Sequence, residues 1–123
     1  MRVLIIIRTG DGTDARRLAH QLKQRGVKVE IEHYSLLRDY REPYDLAILY
    51  GLTDVEEEAF HTAIWVRVAV HDIPLLIVTQ WESQEHNIAE RLKKSVRAEY
   101  ALRTDEAAVL AKVDEMLNQK AAG

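Results

Sequence analysis

The run Thr9-Gly10-Asp11-Gly12-Thr13 is the stretch best equipped for chemistry in this sequence. Hydroxyls and glycine-borne backbone N–H groups at the start of a helix form a ready site for a phosphate or another anion. The run lacks the G-x-x-x-x-G-K-[ST] spacing of a nucleotide-binding loop, and Gly10-x-Gly12 lacks the third glycine of a dinucleotide fingerprint. His61 with Asp54, Glu57 or Glu58 has the types for an acid/base pair, but those carboxylates have a simpler task at a helix start. His20, His33, His61, His71 and His86 fall on different elements, so a metal cluster is not expected. There is no cysteine, and no Ser-His-Asp order or G-x-S-x-G elbow appears. The chemistry on offer is anion binding, and the chain is expected to be no enzyme and to carry no cofactor or metal.

The elements that must position these residues fit one domain, 1–120, with 121–123 as a tail. A length of 123 residues, 47% of them hydrophobic, suffices for one core. The net charge is −3 and the basic residues are scattered, so no nucleic-acid partner is expected. Val3-Leu4-Ile5-Ile6-Ile7 is too short for a membrane span or signal core and reads as an interior strand. The cysteine-free composition fits a reducing cytoplasm.

Five β-type runs alternate with helical stretches, which predicts a parallel sheet covered on both faces. A helix over 13–25 places Ala15, Leu18, Ala19 and Leu22 on one face and stops at Gly26. Val27, Val29 and Ile31 alternate with Lys28, Glu30 and Glu32, the pattern of an edge strand. Leu36, Leu37 and Tyr40 suggest a short helical turn within 35–44 that Pro43 ends. Leu46 to Tyr50 is the third strand, and a helix over 55–71 follows, its Glu56, Glu57 and Glu58 set against the positive helix end. Leu75 to Thr79 is the fourth strand. A helix over 84–95, a short strand around 100–102 and a helix over 104–118 complete the order.

Three strings carry a family resemblance: Tyr44-Asp45-Leu46-Ala47-Ile48-Leu49, Ile73-Pro74-Leu75-Leu76-Ile77-Val78-Thr79 and Ala98-Glu99-Tyr100-Ala101-Leu102-Arg103. In this order and at this spacing the chain resembles, along almost its whole length, the receiver domain of bacterial response regulators. The resemblance implies a flavodoxin-like, receiver-like three-layer sandwich. Its five-stranded parallel sheet would run in the order 2-1-3-4-5 with helices on both faces, and function would gather at the strand carboxyl ends. It further implies a site of two acidic residues holding Mg²⁺, an aspartate that takes a phosphoryl group, a Thr or Ser, and a Lys. Thr79 matches its place, but Arg103 stands where the lysine would and Thr104 where a proline follows. Ile7-Arg8 falls where the acidic pair would, although a shifted loop brings Asp11 there, and Tyr50 stands where the acceptor would. A phenol with a pKa of about 10 forms no acyl phosphate, so the expected protein is a degenerate receiver that works by protein contact.

The structural alternative for Tyr50 is a packed ring with a wet hydroxyl. The glycine loop before its helix also resembles the phosphate loop of flavodoxins. That likeness implies a rival reading, a small FMN-binding or phosphate-binding protein using 9–14. Phe60, Ile64, Trp65 and Val68 belong to a helix more apolar than one packed stripe requires, which marks them as a partner surface or a homodimer contact. Receivers more often associate through their fourth helix, fifth strand and fifth helix. There Ile88, Arg91, Lys94, Arg97, Asp105, Glu106, Lys112 and Glu115 would supply crossed ion pairs.

Overall fold

Apolar runs without polar alternation need cover on both sides, and the middle of the sheet obtains it. In the computed structural model, which describes residues 1–8, 12–37, 44–50, 56–79, 94–102 and 105–122, β1 (Arg2–Ile7) buries its four central residues. β3 (Leu46–Tyr50) and β4 (Leu75–Thr79) bury all of theirs. β2 (Lys28–His33) and β5 (Glu99–Leu102) are more exposed and form the two edges. All pairings are parallel and the order is β2-β1-β3-β4-β5, as expected.

Strand alternation divides the core in two. Leu4, Ile6, Ala47, Leu49, Leu75 and Ile77 meet α2 (Glu56–Val70) through Ala59, Ala63, Val66 and Val70. The small side chains Ala59, Ala63 and Ala47 give α2 a close seat on the sheet. Val3, Ile5, Leu46, Ile48, Tyr50, Leu76 and Val78 lie on the other face. They pack with α1 (Gly12–Gln24) and α3 (Glu106–Ala122), to which α1 contributes Ala15, Leu18, Ala19 and Leu22, and α3 Val109, Val113, Met116 and Leu117. Each large aliphatic side chain moved from water into these layers contributes about 1.5–3 kcal/mol.

The caps explain where the helices stop. Gly26 takes φ 83° after α1, its N–H bonding the Lys23 carbonyl at 3.0 Å while the Val27 N–H reaches the Leu22 carbonyl at 3.1 Å. This is the paired arrangement that a left-handed residue permits at a helix end. The Asp105 carboxylate accepts the Ala108 N–H at 3.0 Å and opens α3.

Two local expectations need correcting. The turn sought within 35–44 is a 3₁₀ turn over Tyr34–Leu36, begun by His33, whose ring Nδ1 accepts the Ser35 N–H at 3.2 Å. Residues 38–43, with Tyr40 and Pro43, lie outside the described residues. α3 runs through Ala122 and absorbs most of the expected tail, because alanine is the strongest helix former and nothing after Asn118 opposes the helix. The helix expected over 84–95 lies outside the described residues except for helical Lys94 and Ser95.

Candidate functional site

Parallel register brings the strand carboxyl ends to one rim. Ile7 pairs with both His33 and Tyr50, Tyr50 with Val78, and Thr79 with Leu102. Tyr50 and Thr79 therefore end adjacent strands, with Arg8 one residue past β1. Their side chains divide between the layers. Tyr50 is 2% exposed and belongs to the α1/α3 core, so its phenol is packed away and not wet. Over it lies a small cavity lined by Asp14, Leu18 and Val109. Arg17 pairs there with Glu106, joining α1 to α3, and approaches Asp14 at 3.6 Å.

Thr79 follows Leu75 and Ile77 onto the α2 side. It is 8% exposed, and its hydroxyl donates to the Ala101 carbonyl at 3.5 Å. The hydroxyl is thus turned toward the edge strand. Arg8 also lies on the α2 side. Its guanidinium stands 5.3 Å from the centre of the Tyr34 ring and 3.4 Å from Glu58, which lies in the first turn of α2 and so pairs with Arg8 from the helix start. Asp11, Thr9, Gly10, Arg103 and Thr104 lie outside the described residues. Gly12 and Thr13 form the first turn of α1.

Sequence reasoning missed a groove of about 670 Å³ between the end of β1, the 3₁₀ turn and α2. Arg8, Tyr34 and Ser35 line one side, and Glu58, His61, Thr62 and Trp65 the other. The signal was present in part: 58, 61, 62 and 65 follow the i, i+3, i+4, i+7 spacing of one helical stripe. His61, considered as an acid/base partner of Glu58, borders this groove while Glu58 faces Arg8. Among the described residues no cluster of three or more His, Asp or Glu side chains has the arrangement of a metal site.

The four residues expected to form a partner surface separate. Phe60 is partly buried against the α2-side core, whereas Ile64, Trp65 and Val68 are 47%, 52% and 59% exposed. Four of the charges expected to pair between molecules, Arg97, Glu106, Lys112 and Glu115, find partners within this one. Arg97 lies 3.4 Å from Asp72, Lys112 lies 3.5 Å from Glu99 and 3.6 Å from Glu115, and Glu106 holds Arg17. Ile88 and Arg91 lie outside the described residues.

At the opposite rim the Arg67 guanidinium donates to three main-chain oxygens: those of Arg97 at 2.8 Å, Ile73 at 2.6 Å, and His71. Burial, and then the neighbouring Arg97 charge, lower its pKa. On the edge strand, Glu30 accepts from the Tyr44 hydroxyl and pairs with Arg2 at 2.6 Å, which holds its carboxyl below the ordinary range. No helix among the described residues is long and apolar enough to cross a membrane.

No protein-family model and no curated protein sequence matches the chain. Solved structures do match in fold. The non-phosphorylated HemR receiver domain from Leptospira biflexa superposes with a TM-score of 0.66 at 18% identity, covering 95% of this chain and 94% of that one. A response regulator receiver protein from Pseudomonas putida gives 0.59 at 17% identity, covering 96% of each. A flavodoxin from the domain Archaea gives 0.57 at 12% identity, covering 98% of this chain and 99% of that one. At such identities the likeness establishes the receiver-like, flavodoxin-like fold.

Proposed function

We propose that this chain is a single receiver-like cytoplasmic domain that passes a signal by protein contact, without taking up a phosphoryl group. One observation carries the reading: the residue ending β3, at the centre of the functional rim of this fold, is Tyr50, and its ring fills the α1/α3 core. Ile7 is apolar and Arg8 is cationic where acidic side chains would hold Mg²⁺, and Arg8 is engaged by Glu58 and Tyr34. Phosphoryl transfer to a carboxylate requires that carboxylate and a cation to neutralise the moving charge. Thr79 then serves the shape of the rim. Ile64, Trp65 and Val68 on α2 are the contact surface for a protein partner or a second copy of the chain.

The test is incubation with acetyl phosphate and Mg²⁺, followed by intact-mass measurement, with beryllofluoride in a parallel NMR experiment. The expected result is an unchanged mass and unchanged amide shifts around Tyr50 and Thr79. A phosphoryl adduct, at Asp11 or elsewhere on the rim, overturns the reading. The second reading, an FMN or phosphate ligand on the 9–14 loop, draws on Gly12 and Thr13 opening α1 in a fold that flavodoxins share. It predicts thermal stabilisation by FMN, which the leading reading does not.

A further inference from the structure

We propose that the groove between Arg8, Tyr34 and α2 binds a small aromatic carboxylate. Its volume of about 670 Å³ lies within the roughly 300–1,000 Å³ of ligand pockets. Its lining sets one cation beside three rings, those of Tyr34, His61 and Trp65. The Arg8 side chain is only 20% exposed and is positioned from two sides by the Tyr34 face and by Glu58. Trp65 borders the concavity while remaining 52% exposed, so a flat ring seated there covers apolar surface now in water. A ligand with a ring at one end and a carboxylate at the other satisfies both features.

The Glu58 contact identifies the charge of the occupant. It is made through one guanidinium nitrogen at 3.4 Å by a side chain that is 55% exposed. A guanidinium presents five N–H donors in a fork and takes a carboxylate best through two parallel bonds. A ligand carboxylate therefore replaces Glu58 with better geometry, and Glu58 can swing into solvent at little cost. Glu58 is an internal competitor that keeps Arg8 aligned while the groove is open. A cation is disfavoured because Arg8 is the more deeply placed charge. A polyphosphate is disfavoured because, among the described residues, the Arg8 guanidinium alone would have to offset several charges with Glu58 alongside.

The inference is independent of whether the rim accepts a phosphoryl group. Calorimetric titration of the intact chain with indole-3-acetate and benzoate, each against its neutral amide, tests it. The acids are expected to bind about tenfold or more tightly than the amides. Arg8→Gln should lose about tenfold and Trp65→Ala a similar factor, whereas Glu58→Gln should gain roughly three- to tenfold. Circular dichroism of each variant establishes that it folds. Equal binding of acid and amide, unchanged affinity in Arg8→Gln, weakened affinity in Glu58→Gln, or no heat with either acid at about 10 mM overturns the proposal.

Discussion

Replacing Tyr50 by the residue that a phosphorylatable domain would carry there tests how deeply the ring is built into the core. In Tyr50→Asp a side chain that is 2% exposed loses its aromatic ring, and truncating a buried aromatic side chain costs about 3–5 kcal/mol. The introduced carboxyl must also stay neutral among Leu18, Val109 and their neighbours. Holding a group of pKa about 3.9 protonated at pH 7 costs up to roughly 4 kcal/mol, less whatever Arg17 returns from above. The sum, about 3–9 kcal/mol before the Arg17 offset, is comparable with the roughly 5–15 kcal/mol that holds a domain of this size together. Urea unfolding followed by circular dichroism should show most of the stability gone at pH 7.5. The loss has a pH signature. The folded state binds the extra proton more tightly than the unfolded chain, so the added stability is present below about pH 3.9 and disappears as pH rises toward the elevated folded value. The variant should therefore be less impaired at pH 5 than at pH 8, relative to the parent protein at the same pH. Tyr50→Phe keeps the ring and should cost no more than about 1.5 kcal/mol. A Tyr50→Asp protein within about 1 kcal/mol of the parent, or one phosphorylated by acetyl phosphate, would refute the packing argument.

Gly26→Ala should destabilise by about 1–2 kcal/mol in urea titrations. A Cβ there meets nothing within 4 Å, so the cost comes from φ 83° alone, and Gly26→Asn should cost less. Arg67→Met should lose about 2–4 kcal/mol, because the buried Ile73 and neighbouring carbonyls lose their donor; thermal melts would show it. Burial pushes the Tyr100 phenol up to about 12 from 10.0. Its contribution to stability is intact below pH 10 and is lost as pH rises toward that value, so absorbance at alkaline pH should show this tyrosine ionising well above pH 10 or together with unfolding.

The three inner strands were legible because their residues are apolar without a break, which only a sheet covered twice can accommodate. Their neighbours in space were not, since a parallel crossover leaves no local mark of which strand lies beside which. The order came from the resemblance. The place of Tyr50 at the end of β3 could be read directly, but its burial depended on which helices cover that face. The apolar excess of α2 was legible as composition, but not its division: Ile64, Trp65 and Val68 are exposed while Phe60, one turn away from Ile64, packs inward. The Arg8 groove joins residues fifty positions apart, and no pattern along the chain links Arg8 to Glu58.

The three oxygens gathered by Arg67 rivet the tail of α2 to the turn after it and to the lead into β5. Whatever swing α2 undergoes is then a lever stroke about that rivet, largest at the end carrying Glu58. Nine residues of helix give an arm of about 13 Å, so a tilt of roughly ten degrees carries that carboxylate about 2 Å, enough to part it from Arg8.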